Sequence, residues 1–319
     1  MGSSGGGAGP PDSVGLAGLE GYHPPVAERG RDASIRLNDG RLLEYWDGGD
    51  PDGRPFIYHP GTPVTRVLGR WVHAAAIDAG VRLIAVSRPG YGGSTAVDGL
   101  PSLLGVGRDT VTLARQLHLG DFAVVGTSGG GPFATATAIA AGGAVRALGI
   151  LGGVGPWALI DDESANPEDR ACLALLDGGD VAGTRACLLR TVEDDPNRHA
   201  PREFFEALAA DDPSAVLRDP DYRALWELCA REVLDNPTGY VDDNIAWGGA
   251  WDIQPQDVVT PTLLWYGTED TRCSHDGHGR WYTDRINGAE LITEDGAAHF
   301  EVIDGHWPEV FAGLLRRWV

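Results

Sequence analysis

Short apolar segments bounded by glycine and proline alternate with longer amphipathic segments through the first half of the chain. This alternation predicts a mostly parallel sheet whose strands are joined by crossover helices. The predicted strands comprise residues 41–46, 55–58, 81–86, 122–125 and 145–151. The helices predicted between them comprise residues 66–79, 102–117 and 130–141.

The pattern changes in the middle of the chain and returns near its end. Residues 157–256 show helical periodicity only, over 167–176, 181–191, 202–210, 222–234 and 240–247. The later segments predict a strand at 261–266, a helix at 279–286, a strand at 289–292 and an amphipathic helix at 307–318. A helical insertion between strands of one sheet is expected to cap the edge where the carboxyl ends of the strands gather.

Three parts of the chain follow from this pattern. Residues 33–156 and 257–319 form the predicted core, 157–256 the predicted cap, and 1–32 a predicted flexible tail. The first eleven residues lack the basic and apolar stretches of a signal peptide. Their glycine, serine, alanine and proline content fits a native tail and a cloning remnant equally well.

The chain is strongly acidic, with 46 acidic against 25 basic residues and a formal charge of −21. This charge repels phosphate backbones and anionic lipids, so neither nucleic acid nor a membrane is an expected partner. Every basic residue is arginine, which excludes Schiff-base lysine chemistry and a P-loop lysine. A small molecule is the predicted partner, and the oligomeric state stays open.

Four cysteines, at positions 172, 187, 229 and 273, are widely spaced and form no Cys-x-x-Cys pattern. Their spacing suggests neither a disulfide framework nor a zinc site. We therefore expect reduced thiols in a cytoplasmic protein.

Residues 126–130 read Gly-Thr-Ser-Gly-Gly and match Gly-x-Ser-x-Gly, the tight turn that lifts a serine from a strand onto a helix. The flanking residues must be small because the serine is strained and the adjoining backbone lies close. With 46 glycines in the chain, the match alone is weak. The apolar strand before it and the small-residue helix after it favour Ser128 as a nucleophile over a plain turn or a phosphate-binding loop.

A serine nucleophile needs a base within hydrogen-bond reach and a carboxylate that fixes the tautomer of that base. Asp270 follows an apolar strand segment and is the predicted acid, with Glu269 and the aspartates at 161 and 162 as competitors. His299 lies in a small-residue loop before the last helix and is the predicted base. The expected chain order, serine then acid then histidine, is met.

Three other histidines, His275, His278 and His306, lie near the predicted acid and base. We predict helix-capping or surface positions for them. The first two have a spacing that could suggest a metal, but no further ligands are matched nearby, so no metal site is expected.

The oxyanion that forms on a substrate needs backbone N–H donors. Gly129 directly follows the nucleophile and can supply one, and Thr62, in the proline-rich loop after an early strand, is the second candidate. Four aromatic residues of the predicted cap could line a substrate pocket or pack inside the cap. They are Trp157, Trp226, Tyr240 and Trp247.

Residues 87–94 read Ser-Arg-Pro-Gly-Tyr-Gly-Gly-Ser. With this turn and the Ser-Asp-His order, the chain after about residue 33 resembles the α/β-hydrolase superfamily, in its esterase, haloperoxidase-like and proline-iminopeptidase-like branch. The resemblance implies the α/β-hydrolase fold, a mostly parallel central sheet flanked by helices with an all-helical cap, and catalysis without a cofactor.

The chain departs from relatives at three points. Pro60-Gly61 stands where they usually carry His-Gly, with the histidine displaced to position 59. A serine nucleophile argues against epoxide hydrolase and haloalkane dehalogenase chemistry, which use a carboxylate. The turn also lacks the tryptophan that proline iminopeptidases tend to carry after the serine.

These features predict a serine hydrolase that cleaves an ester-like bond, in a carboxylic ester, lactone or thioester, of a small apolar molecule through an acyl-enzyme. One alternative uses the same triad for acyl transfer, cyclisation or cofactor-free peroxidation. Another is a small-molecule receptor built on the same fold.

Overall fold

The computed structural model describes residues 30–156 and 167–318, which contain one eight-stranded sheet. Its strands β1 to β8, in chain order, are Arg31–Arg36, Leu42–Gly49, Arg54–His59, Val81–Val86, Phe122–Thr127, Val145–Leu151, Thr262–Gly267 and Glu290–Glu294. Their spatial order is β1-β2-β4-β3-β5-β6-β7-β8. Strand β2 is antiparallel to β1 and β4, and the other pairs are parallel, which confirms the predicted fold class.

Helices α1 to α3 connect the early strands, α4 to α8 follow β6, and α9 to α11 lie near the end of the chain. Helices α1 to α6 are Gly69–Asp78, Leu103–Gln116, Gly131–Ala141, Pro167–Asp177, Val181–Glu193 and Pro201–Leu208. Helices α7 to α11 are Pro220–Asp235, Thr238–Gly248, Arg280–Thr283, His299–Asp304 and Trp307–Arg317.

Helices cover both faces of the sheet. On one face the core includes Leu113 of α2 and Phe133 of α3, and on the other it includes Val72 of α1 and Phe311 of α11. Strands β5 and β7 are consequently buried at every position. A strand buried on both faces has no solvated side, which explains why these two segments are largely apolar rather than alternating.

The first strand, β1, was not predicted. It pairs antiparallel with β2 along one edge of the sheet and begins at Arg31, inside the segment expected to be a flexible tail. Its sequence, Arg-Asp-Ala-Ser-Ile-Arg, is mostly polar because the strand lies at an exposed edge. Its pairing with β2 along its whole length, with Ile35 opposite Leu43, places it in the sheet.

Helices α4 to α8 are inserted between β6 and β7 and pack against the core. Phe205 of α6 stacks on Trp226 of α7, and both rings contact Phe300 of α10 edge-on. Val64 and Leu68, which follow the carboxyl end of β3, join the same apolar cluster. The insertion therefore covers the sheet edge where β3 ends.

The cysteine expectation is wrong for one pair, because Cys172 of α4 and Cys187 of α5 form a disulfide. Cys229 and Cys273 are free and buried. The two bonded residues are separated by 15 positions, which matches no sequence motif. Helices α4 and α5 form a hairpin, and this tertiary pairing brings the two thiols together.

Within residues 30–156 and 167–318, no helix is both long and apolar enough to cross a membrane.

The disulfide predicts the number of free thiols. Protein unfolded in guanidinium without reductant should titrate two thiols per chain with Ellman's reagent, and prior reduction should raise the number to four. In Cys172→Ser the unreduced, unfolded chain should titrate three, because Cys187 loses its partner. A value of four for the unreduced wild-type protein would contradict the disulfide.

Candidate active site

Ser128 lies on the tight turn between β5 and α3. Its backbone φ is +51°, in the left-handed region that side chains disfavour. A Cβ atom at Gly126 would lie 2.4 Å from the carbonyl oxygen of Gly130, and one at Gly130 would lie 2.1 Å from that of His59. Both glycines of the Gly-x-Ser-x-Gly motif are thus required by close backbone contacts.

A continuous hydrogen-bonded chain joins the predicted nucleophile, base and acid. His299 Nε2 lies 3.0 Å from Ser128 Oγ, and His299 Nδ1 lies 2.8 Å from Asp270 Oδ2. Because a carboxylate only accepts, Nδ1 carries the proton and Nε2 is left to accept from the serine hydroxyl. Asp270 is buried, and its Oδ1 accepts the backbone N–H groups of Arg272 and Cys273.

Three elements deliver these side chains to one edge of the sheet. Asp270 follows the carboxyl end of β7, as Ser128 follows that of β5. His299 was expected in a loop, but it is the first residue of the short helix α10. A six-residue helix offers too little periodicity to be predicted from sequence.

The competing acids and bases occupy other places. Glu269 is exposed, and the aspartates at 161 and 162 lie outside the described residues. His275 contacts Asp276 and Thr293 at the surface. His306 directly precedes α11 beside two glutamates.

His278 is almost fully buried, although a helix-capping or surface position was predicted for it. Its Nδ1 accepts the backbone N–H of Gly155, in the segment that follows β6. Burial lowers its pKa to about 4, so the ring is neutral at pH 7, and its hydrogen bond holds the loop that borders Ser128.

The two predicted oxyanion donors lie side by side. A Cβ atom at Gly129 would be 3.2 Å from the Thr62 backbone nitrogen and 2.4 Å from its hydroxyl oxygen. Within the described residues the Thr62 N–H donates to no acceptor. Gly61 also borders Ser128, with its own Cβ position 3.8 Å from the serine Oγ.

His59, the displaced histidine, joins the start of the Thr62 loop to α3. It is fully buried, and its Nε2 lies 3.0 Å from Thr137 Oγ1 on α3. That hydroxyl already donates to the Phe133 carbonyl, so His59 Nε2–H is the donor. Burial lowers the His59 pKa to about 3, and the ring stays neutral.

A cavity of about 610 Å³ opens above the serine, with Ser128, His299, Thr62 and Gly129 at one side. Three of the four predicted pocket aromatics line it, namely Trp226, Tyr240 and Trp247. Trp157 lies outside the described residues.

Several apolar residues that line the cavity were not predicted. Phe204 and Leu208 are four residues apart on α6 and present one face of that helix to the cavity, while Phe205 points into the apolar cluster behind it. That i, i+4 spacing was the available signal. Phe300, directly after the histidine, completes the wall.

The chain is similar in sequence to a chloroperoxidase and in fold to several solved structures. No family model matches the chain. Non-heme chloroperoxidase CPO-A1 of Kitasatospora aureofaciens is 26% identical over 262 residues, 82% of this chain and 90% of that protein. Among solved structures, a bromoperoxidase from Bacillus anthracis is 20% identical with a TM-score of 0.67, covering 90% of this chain and 100% of that one. The esterase EaEST from Exiguobacterium antarcticum is 19% identical with a TM-score of 0.66, covering 90% and 98%.

The sheet order, the tight turn at Ser128 and these similarities agree. The chain has the α/β-hydrolase fold and belongs to the superfamily that this fold defines.

A second buried carboxyl group, that of Asp304, lies near His299 at the end of α10. Asp304 Oδ2 accepts the Tyr222 hydroxyl at 2.6 Å, and Oδ1 accepts the Trp307 indole N–H at 3.3 Å. Burial raises its pKa to about 6, although both hydrogen bonds and nearby His299 act in the opposite direction. This carboxyl therefore loses its proton at a higher pH in the folded protein than in the unfolded chain.

A raised folded-state pKa gives stability that is present at low pH and is lost as the pH rises through that pKa. When the pH is raised from 5 to 7.5, the wild-type protein should lose about 1.4 kcal/mol more of its free energy of unfolding than Asp304→Asn, because the asparagine does not titrate. Urea unfolding of both proteins at the two pH values measures this difference. Both pH values lie above the isoelectric point of about 4.6 that the sequence gives. Parallel pH profiles for the two proteins would show that Asp304 titrates normally.

Proposed function

We propose that this protein is a serine hydrolase that cleaves a carboxylic ester, lactone or thioester through an acyl-enzyme. The observation that carries the proposal is the hydrogen-bonded chain from Ser128 through His299 to Asp270, which opens onto a 610 Å³ cavity. A structural serine does not need a buried imidazole and carboxylate behind it, since an ordinary surface hydroxyl is satisfied by water.

In the first half of the reaction, Ser128 Oγ attacks the substrate carbonyl while its proton passes to His299 Nε2. The carbonyl oxygen becomes negatively charged and accepts hydrogen bonds from the N–H groups of Gly129 and Thr62. Asp270 stabilises the imidazolium through the Nδ1 hydrogen bond. His299 then gives the proton to the oxygen of the departing alcohol or to the sulfur of the departing thiol. The acyl group stays on Ser128.

In the second half, a water molecule gives a proton to His299 and attacks the acyl carbonyl. The same two N–H groups hold the second oxyanion. When the tetrahedral species collapses, the proton returns to Ser128 Oγ and the carboxylic acid leaves. The sum is one ester and one water converted to one acid and one alcohol.

The cavity wall indicates the class of substrate. Slightly more than half of its lining residues are apolar, including Val64, Val192, Phe204, Leu208 and Phe300, and three charged residues, Asp194, Asp195 and Arg272, also line it. Transfer of an apolar acyl or aryl group into such a site is favourable by about 0.8 kcal/mol for each buried methylene. Small esters with an apolar acyl or aryl group fit the apolar part of this wall.

A second candidate reaction is favoured by the similarity to proteins named chloroperoxidase and bromoperoxidase. If hydrogen peroxide replaces water in the second half, the acyl group leaves as a peroxy acid. The same residues would act and no further group is needed. Mixing acetate, peroxide and enzyme and assaying for peracetic acid distinguishes the two, since a hydrolase that excludes peroxide gives none above the uncatalysed level.

The triad assignment predicts the response to an active-site probe. Wild-type protein should react covalently with a fluorophosphonate and hydrolyse p-nitrophenyl butyrate, and Ser128→Ala should do neither. His299→Ala and Asp270→Asn should each lower kcat by about 10⁴-fold, because the serine loses its base or the base loses its tautomer. Gel fluorescence measures the covalent labelling, and initial rates measure the hydrolysis.

The exposed neighbour of the acid provides the control. Glu269→Gln should leave kcat within about twofold, because this carboxylate does not reach the histidine. Loss of activity in Glu269→Gln with a silent Asp270→Asn would reverse the acid assignment. A folded wild-type protein that reacts with no fluorophosphonate would favour the receptor alternative.

The apolar wall predicts a chain-length effect. Phe204→Ala should lower kcat/KM for p-nitrophenyl hexanoate by about tenfold and leave the acetate ester within about twofold, because only the longer acyl chain reaches the ring. Phe204→Leu, which keeps the wall apolar and nearly filled, is the matched control and should lie near wild type. Equal losses for both esters would place Phe204 away from the acyl chain.

A further inference from the structure

Arg88 lies on the turn that follows β4 and takes part in none of the proton transfers proposed above. Arg88 is 1% exposed and lies within the core, where an arginine without partners would be costly. Its guanidinium lies over the Phe133 ring at 4.8 Å. All its hydrogen bonds go to two places, the loop that contains Thr62 and the helix α8 of the insertion.

We propose that Arg88 and Asp243 of α8 are positioning residues that hold the Thr62 N–H in place as an oxyanion donor, so that the insertion completes the oxyanion hole. The inference rests on the proposed function, because an oxyanion hole has a role only in acyl transfer. It assigns a reaction-linked task to Asp243, which no sequence motif marked.

The peptide geometry of the loop carries the first step. Arg88 Nη1 donates to the Pro60 carbonyl at 2.5 Å, and Nη2 donates to the Gly61 carbonyl at 2.9 Å. In a trans peptide the C=O and the following N–H point in opposite directions within one rigid plane. The Gly61 carbonyl that Arg88 holds is in the same peptide unit as the Thr62 N–H. Arg88 therefore fixes the direction of that N–H from the far side of the plane.

Asp243 fixes the same loop through the Thr62 side chain. The Thr62 hydroxyl donates to Asp243 Oδ2 at 2.7 Å. The same carboxylate receives Arg88 Nε at 2.9 Å and the Tyr91 hydroxyl at 2.9 Å. Both ends of the Thr62 residue, its peptide plane and its hydroxyl, are thus tied to one ion pair.

The carboxylate comes from the insertion, and the arginine from the core. Helix α8 approaches the turn so closely that the Gly239 N–H donates to the Gly90 carbonyl at 3.2 Å. A Cβ atom at Gly90 would lie 2.7 Å from the Gly239 nitrogen. The two buried charges neutralise each other, and removing one leaves the other without compensation.

A role in holding the loop predicts a defect in kcat rather than in KM. Asp243→Asn should lower kcat for p-nitrophenyl butyrate by about 10- to 100-fold, less than the loss of a whole oxyanion donor, and change KM by less than about threefold. A second readout is the Ki of a trifluoromethyl ketone, whose tetrahedral adduct places an oxyanion in the hole. The Ki should rise in proportion to the fall in kcat/KM.

Two Thr62 variants keep the test open should Asp243→Asn fail to fold. Thr62→Val removes the hydroxyl bond to Asp243 and leaves the ion pair intact, so it should show the same pattern of kcat and Ki in a weaker form. Thr62→Ser keeps the hydroxyl and should restore both values to within about threefold of wild type. A purely structural role would lower the unfolding midpoint without this paired change.

The neighbouring carboxylate on α8 is the matched control. Asp242 is also buried, but it pairs with Arg185 at 2.7 Å. Asp242→Asn should leave kcat and the ketone Ki within about twofold of wild type.

Unchanged kcat and Ki in folded Asp243→Asn and Thr62→Val, with Ser128→Ala inactive, would overturn the positioning role and leave the proposed function standing. Full activity in Ser128→Ala would overturn both.

Discussion

The left-handed backbone at Ser128 is the constraint on which the site depends. It exists because β5 passes directly into α3 without a connecting loop, and the chain turns by contacts between backbone atoms of positions 126 and 130 and of His59. Such strain persists only when the surrounding structure holds it. Here the fully buried β5 and the small-residue face of α3 supply that support, and the hydroxyl is presented at the open end of the sheet.

The same edge collects the other polar groups because parallel strands end there. Asp270 arrives from β7, His299 from the segment after β8, and Thr62 from the loop after β3. Each is held by neutral or paired neighbours: two backbone N–H groups on Asp270, and the neutral His59 and His278 rings below and beside the loops. Arg88 and Asp243 add a buried charge pair that joins the insertion to this edge.

Sequence patterns predicted most of the sheet, and the three side chains proposed as nucleophile, base and acid lie within hydrogen-bond distance of one another. They succeeded for strands such as β4 and β6, which are largely apolar because helices cover both faces, and for the tight turn at Ser128, whose glycine requirements are local. They missed β1, whose polar edge-strand sequence is indistinguishable from that of a tail, and α10, which is too short to show a period. The Cys172–Cys187 disulfide was missed because helix pairing, and no motif, brings its two residues together.

By itself the sequence determined the strained turn at Ser128, because the need for glycine at positions 126 and 130 arises from short-range backbone contacts. It also marked Asp270 and His299 as candidate partners by their order after the serine. Tertiary structure decided which of two adjacent carboxylates, Glu269 or Asp270, faces the histidine, and which aromatic residues line the cavity. It alone paired Arg88 with Asp243, 155 positions apart. Contacts of that separation are set by how the insertion packs on the core, and local periodicity contains no information about that packing.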